Sequence, residues 1–213
     1  MAAPDIELSD LADLLSARAA GGARVVVALA GPPGSGKSTQ AERLVELLQA
    51  RQGGSAVVLP MDGYHYDDLY LVPAGLRPRK GAPDTFDVGG LCHTLERIRA
   101  RDEPFVAVPV FDRDLEIARA GARMIGAEVP VVIVEGNYLL LARDPWSRLR
   151  PLFDVAVLLD VPPAVLRERL SERWRRYKLT PEEISAKLED NDLPNGRLVM
   201  AESLGEDFRL ANG

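Results

Sequence analysis

Apolar and polar positions follow two periods along this chain, and the switches between them mark out its elements. Leu8, Leu11, Leu14 and Leu15 fall on one stripe between Ile6 and Ala20, predicting an amphipathic helix that Gly21-Gly22 ends. Arg24-Val25-Val26-Val27-Ala28-Leu29-Ala30, apolar after its first residue, predicts a buried strand. Ala41, Leu44, Val45 and Leu48 then recur at i, i+3, i+4 and i+7, one face of a helix. Ala56 to Met61 predicts a second strand, ending at Asp62-Gly63. From Tyr64 to Asp87 the periodicity fades, which predicts a long functional loop. Leu91 to Arg101 reads as a helix. Phe105 to Phe111 alternates as a strand, with Ala122 to Ile125 as its candidate partner. Pro130 to Val134 and Val155 to Leu159 are apolar strands ending in Glu135-Gly136 and Asp160. Pro162-Pro163 opens a helix through Arg176, with Leu166, Leu170 and Trp174 at spacing four. Thr180-Pro181-Glu182-Glu183 starts another, with a cap, a proline and acids in its first turn.

Apolar strands alternating with amphipathic helices imply an α/β fold in three layers, with a mostly parallel central sheet and helices on both faces. With 213 residues the chain suits one domain over 1–213, with lid or acceptor elements at about 63–88 and 165–195. Such sheets bind ligands at the carboxyl ends of their strands, so the residues just after each strand belong together.

The first of these strand ends is Gly31-Pro32-Pro33-Gly34-Ser35-Gly36-Lys37-Ser38, which fits G-x-x-x-x-G-K-[ST]. A chain of this length matches that string by accident about once in a hundred. The flanking strand and helix are the context that gives it meaning: a phosphate-binding P-loop. Glycines let the backbone approach an anion closely, and the N–H groups of the loop and helix start converge on it. Lys37 adds a mobile positive charge, and the Ser38 hydroxyl is placed to face Mg²⁺. A plain glycine turn has no use for Lys-Ser at this spacing. The fold class sharpens to a P-loop NTPase fold with a small helical lid.

Composition narrows the function further. The net charge is −6 and the pI about 5.1, against a nucleic-acid surface built on bulk positive charge. No apolar run approaches the roughly 20 residues of a membrane span, and Met1-Ala2-Ala3-Pro4-Asp5 lacks a secretory pattern. Cys92, the single cysteine, excludes an internal disulfide and reads as a small buried hydrophobe. The expectation is a soluble cytoplasmic protein with no nucleic-acid partner and no membrane insertion.

Two strand-end acids complete the chemistry of a nucleotide site. Glu135 is the candidate carboxylate near a metal, and Asp62 the candidate base for a hydroxyl acceptor. Their residue types leave open which of them holds metal-bound water and which takes the proton. Asp160 reads as a turn into the next helix. His65 lies beside Asp62 in a stretch with Tyr64, Tyr66, Asp67 and Asp68, and Arg77, Arg79 and Lys80 follow; this mix suits a polyol or sugar-like acceptor. Arg167, Arg169, Arg173, Arg175 and Arg176 crowd one helix. A solvated basic face is the bland reading, and a lid presenting Arg169, Arg173 and Arg176 to phosphate the sharper one.

Taken in order, Gly31–Ser38, Met61-Asp62-Gly63-Tyr64-His65, Pro83-Asp84-Thr85-Phe86-Asp87, Pro109-Val110-Phe111-Asp112-Arg113 and Glu135-Gly136-Asn137-Tyr138 resemble the motifs of the uridine kinase, phosphoribulokinase and bacterial pantothenate kinase superfamily. Arg79-Lys80-Gly81-Ala82-Pro83 and Asn191-Asp192-Leu193-Pro194-Asn195 are similar to its bacterial branch of fructose-transport-system and nucleoside-kinase-like proteins. The resemblance covers about Val25 to Leu198. It implies ATP and Mg²⁺ as cosubstrates, transfer to a small-molecule hydroxyl, and a homodimer as a plausible assembly. It also implies an expected site. Lys37, Asp62, Glu135 and Arg173 would be catalytic. Nucleotide would lie against Gly31, Pro32, Pro33, Gly34, Ser35, Gly36, Lys37, Ser38 and Thr39, under Arg169 and Arg173. Ser38 and Glu135 would face the metal. Asp62, Tyr64, His65, Arg79, Lys80, Asp84, Phe111, Arg113, Asn137 and Tyr138 would surround the acceptor. Uridine kinases carry Asp-Ser-Phe-Tyr where this chain has Asp62-Gly63-Tyr64-His65, which turns the expectation away from uridine.

The expected activity is an ATP-dependent small-molecule kinase acting on a sugar such as fructose, a nucleoside or a pantothenate-like compound. The alternative is a nucleotide-gated regulatory protein with only slow ATP hydrolysis. No Asn-Lys-x-Asp string marks a guanine-specific switch.

Overall fold

In the computed structural model, which describes residues 3–51 and 56–213, the strands are β1 (Val25–Ala30), β2 (Ala56–Pro60), β3 (Phe105–Asp112), β4 (Ile117–Gly126), β5 (Val131–Gly136), β6 (Val155–Asp160) and β7 (Phe208–Ala211). Five of them form one parallel sheet in the order β2-β5-β1-β6-β7, and β3 and β4 pair antiparallel as a separate hairpin. The helices are α1 (Leu8–Ala19), α2 (Lys37–Ala50), α3 (Asp68–Leu71), α4 (Val88–Ala100), α5 (Pro163–Arg176), α6 (Pro181–Lys187) and α7 (Leu193–Glu202).

β1 and β5 are buried at every position, which is why their sequences are apolar without alternation. Val26, Ala28 and Ala30 face one side of the sheet and pack with Leu91 and Leu95 of α4, Trp146 and Val199. Val25, Val27 and Leu29 face the other, against Leu11 and Leu15 of α1 and Leu44 and Leu48 of α2. The predicted three layers are present. Cys92 is buried and unpaired, as a small core hydrophobe. Arg24 staples the amino edge of the sheet. Its guanidinium donates to the carbonyls of Val129 at 2.9 Å, Ile98 at 2.5 Å, Gly126 at 2.6 Å and Ala127 at 2.9 Å, tying the end of the hairpin to β1 and α4.

The segment from Tyr64 to Asp87 is a correction. It is not an aperiodic loop but α3 and two 3-10 turns, Arg77–Arg79 and Pro83–Thr85, with its ends joined at a His65–Phe86 bridge. Asp67 caps α3 by accepting from Leu69 N at 2.8 Å. The Thr85 hydroxyl accepts from Gly81 N at 3.0 Å and donates to Ala82 O at 2.8 Å. Bonds of this kind order a segment without leaving a hydrophobic period. α6 begins on the predicted cap, with Thr180 and Glu183 closing a capping box. A π-turn, Leu188–Asp192, links it to α7.

Candidate active site

The carboxyl ends of β1, β2 and β5 open onto a cleft of about 320 Å³. The P-loop forms one wall. Gly34 and Gly36 adopt φ of 80° and 83°, the left-handed region that glycine tolerates. A Cβ on Gly34 would lie 2.9 Å from Leu170, and one on Gly36 would lie 2.6 Å from Asn212 Nδ2. Lys37 begins α2, and its Nζ donates back to Pro32 O at 3.1 Å. Burial pushes this ammonium down to about 8, against the pull of Glu135 and Asp62. Ser38 and Glu135 both line the cleft beside Lys37. Glu135 is buried near the end of β5; burial first, and then the charge of Asp62, push it up to about 7.

Asp62 lies on a 3-10 turn, Met61–Tyr64, that directly follows β2. Its carboxylate pairs with Arg113, which the β3–β4 turn delivers across the cleft. Burial alone would raise Asp62. Arg113 first, and Lys37 with it, outweigh burial and hold the acid below the usual carboxylate range. Asp62 and Glu135 lie in one cleft, and Asp62 is the one ion-paired with Arg113, so it is the one kept ionised. His65 Nδ1 faces Asp62 O at 2.8 Å. A carbonyl only accepts, so Nδ1 carries the proton and Nε2 is left as an acceptor. Burial holds His65 below its ordinary pKa and therefore neutral. Its ring packs between Phe86 and Phe111, with centroids at 4.0 and 4.7 Å.

Of the expected residues, Pro33, Gly34, Gly36, Lys37, Ser38, Thr39, Asp62, His65, Lys80, Phe111, Arg113, Glu135, Asn137 and Arg173 line this cleft. Gly31, Pro32 and Ser35 support the loop from behind. A Cβ on Gly31 would lie 2.9 Å from Ser35 Oγ, and that hydroxyl is buried without a partner. Arg169 and Arg176 flank the cleft beside Ser38 and Arg113. Four expected acceptor residues do not line it. Tyr64 and Tyr138 are buried in the core beneath, and the Tyr138 hydroxyl donates to Gly81 O at 2.6 Å. Arg79 and Asp84 pair with each other at 3.1 Å, half exposed and outside the cleft. Large aromatic side chains next to a site motif were more valuable as packing than as contacts. Asp160 faces out toward Arg209 at 3.7 Å, the turn position its sequence suggested.

Arg77, read from the sequence as part of the acceptor-side charge, also lines the cleft, and so do residues that sequence reasoning gave no site role: Glu116, Trp174, Lys187, Asn191, Asp192 and Asn195. Lys80 Nζ bonds Asp68 at 2.7 Å and Glu116 O at 2.6 Å, closing the acceptor segment onto the hairpin tip. Asp192, raised by burial, accepts from Trp174 Nε1 at 2.6 Å. Asn191 Nδ2 donates to Lys80 O at 3.2 Å. Trp174 had the spacing of a core residue, so its pattern hid its place. The polar run around Asn191 was a visible signal with no role attached.

The hydroxyl of Ser38 and the carboxylate of Glu135 are hard oxygen donors lining the same cleft, a donor set that fits Mg²⁺. Among the described residues no cluster of three His, Cys, Asp or Glu could hold a metal by itself. Among the described residues no helix is long and apolar enough to cross a membrane.

No protein-family model matches the chain. The uncharacterized Escherichia coli protein YggC is 38% identical over 84% of this chain and 74% of its own length. A candidate uridine kinase of Schizosaccharomyces pombe is 34% identical over 88% of this chain and 83% of its own. The crystal structure of a candidate fructose transport system kinase from Silicibacter sp. TM1040 superposes with a TM-score of 0.88, at 40% identity, over 96% of this chain and 98% of that one.

Proposed function

We propose, from the premise that this chain belongs to the P-loop kinase superfamily of uridine kinase, phosphoribulokinase and bacterial pantothenate kinase, that it moves the γ-phosphate of ATP to a hydroxyl of a small metabolite. One observation carries the reading: Asp62, held ionised by Arg113, lines the same cleft as Lys37 and the P-loop. A nucleotide switch has no need of a base there, and two of the three relatives named above carry candidate kinase names.

In this reading Asp62 takes the proton of the acceptor hydroxyl as its oxygen attacks the γ-phosphorus. The bond to the bridging oxygen breaks, and ADP leaves with the electron pair. Lys37 and Arg173 face the phosphates and stabilise the charge that moves toward the leaving oxygen. His65 Nε2 accepts from a second acceptor hydroxyl, and Asn137 orients the same ligand. Ser38 and Glu135 would hold Mg²⁺, which supplies charge neutralisation on the phosphates. Residues at about 63–88 and 165–195 close over the two ends of the cleft within one kinase domain.

Labelled ATP with a panel of sugars such as fructose, nucleosides and pantothenate tests this. Transfer to one acceptor class is expected. Tight ATP binding with no transfer to any acceptor would sink the reading. Asp62→Asn should lower kcat by about a hundredfold to ten-thousandfold while ATP affinity stays near that of the parent. A fully active variant would remove Asp62 from the role.

A further inference from the structure

β7 ends where the P-loop begins its turn, because both lie at the carboxyl edge of the parallel sheet. The register Leu159↔Leu210 and Asp160↔Ala211 continues one residue further, where Asn212 N donates to Asp160 O at 3.1 Å. This places the Asn212 side chain against the outer surface of the P-loop. Its Nδ2 donates to Ser35 O at 2.6 Å, and its Oδ1 accepts from Gln40 Nε2, in the first turn of α2, at 2.8 Å. Its own carbonyl accepts from Arg169 NH1 of α5 at 2.9 Å. One residue thus holds the P-loop, the helix behind it and the lid helix.

We propose that Asn212 is a positioning residue that presets the P-loop for phosphate and indexes Arg169 to it; this rests on the kinase reading above. A peptide plane points its C=O and N–H in opposite directions. Ser35 C=O is held outward by Asn212, so the next N–H, that of Gly36, is turned inward toward the concavity where phosphate would lie. Gly36 at φ 83° has no Cβ, and only that lets Asn212 approach so closely. Gln40 supplies the direction. Its amide donates to Oδ1, which leaves Nδ2 and not the oxygen facing Ser35 O. The motif itself shows none of this, since Asn212 is 174 or more positions beyond it in the chain and the contact exists only through the β6–β7 pairing.

The test is a titration with a fluorescent ATP analogue, with steady-state kinetics beside it, on the parent, Asn212→Asp and Gln40→Glu. Asn212→Asp keeps the size and sets an oxygen against Ser35 O. Gln40→Glu replaces the donor with an acceptor and so turns the Asn212 amide around. Each should weaken nucleotide binding and raise KM for ATP by about tenfold, the effect of losing one or two hydrogen bonds. KM for the acceptor should stay within about twofold and the melting temperature of the free protein within a few degrees. Gln40→Glu added to Asn212→Asp should cost little more, because both break the same strut. Unchanged ATP binding in both single variants would overturn the inference. So would a parallel fall in acceptor binding, ATP binding and melting temperature, the signature of a merely structural residue. A parent protein that binds no nucleotide would instead sink the kinase reading and this inference with it.

Discussion

His65 shows how a single side chain gets its chemistry from its surroundings. On residue type alone it is a surface histidine; in the fold it is stacked between Phe86 and Phe111 with Nδ1 committed to Asp62 O. Burial depresses its pKa below 6.5, although Asp62 pulls the other way. Between that depressed value and 6.5 the folded protein binds fewer protons than the unfolded chain, so His65 makes stability rise with pH across that window and fall on acidification. His65→Gln should therefore lose less stability than the parent between about pH 7.5 and about pH 5, read from urea midpoints. An identical loss in both proteins would mean that His65 titrates normally. Lys37 and Glu135 follow the same rule from opposite signs. Burial disfavours both charged forms, bringing one down to about 8 and the other up to about 7. Nothing in their residue types announces these values, which depend on which neighbours the fold supplies.

At the scale of elements, the hairpin β3–β4 is the part of the site that the pattern made visible without showing its use. Phe105 to Phe111 alternates and Ala122 to Ile125 answers it, and the two segments do pair. That the turn would carry Arg113 to Asp62, and Glu116 to Arg77 and Lys80, depends on how the hairpin lies over the sheet. Gly63 records that approach. A Cβ there would lie 2.5 Å from Pro109 O, a backbone atom that cannot step aside. Gly63→Ala should cost about 2 kcal/mol in stability and raise the acceptor KM more than the ATP KM, as the hairpin is driven away from Asp62. A neutral outcome in denaturation and kinetics would show that the hairpin yields freely. The 64–87 segment was illegible for a different reason. Its order comes from the Asp67 cap, the Thr85 hydroxyl's bonds to the backbone, and ion pairs of Asp68 with Arg77 and Lys80, none of which repeats along the chain.

Over the whole molecule, stability and function share the central strand. Leu29 is fully buried on the face covered by α1 and α2, one position from the residue that leads into the P-loop. Leu29→Ala should cost about 3 kcal/mol by transfer and cavity terms, seen as an earlier denaturant midpoint with unchanged slope. ATP at about a hundred times its dissociation constant should return about 2.7 kcal/mol of that by mass action, and no return would argue against nucleotide binding. By itself the sequence determined the three-layer α/β plan, the P-loop and the candidate acids at the strand ends. Each of those is written in local periodicity or in a short fixed spacing. The tertiary structure alone decided that Tyr64 and Tyr138 are core and Arg79 and Asp84 outside. It alone decided that Arg113 meets Asp62, that Trp174 and Asp192 face the cleft, and that Asn212 braces Ser35. These are contacts between residues far apart in the chain, set by strand order and by which side of an element faces inward, and no local period encodes them.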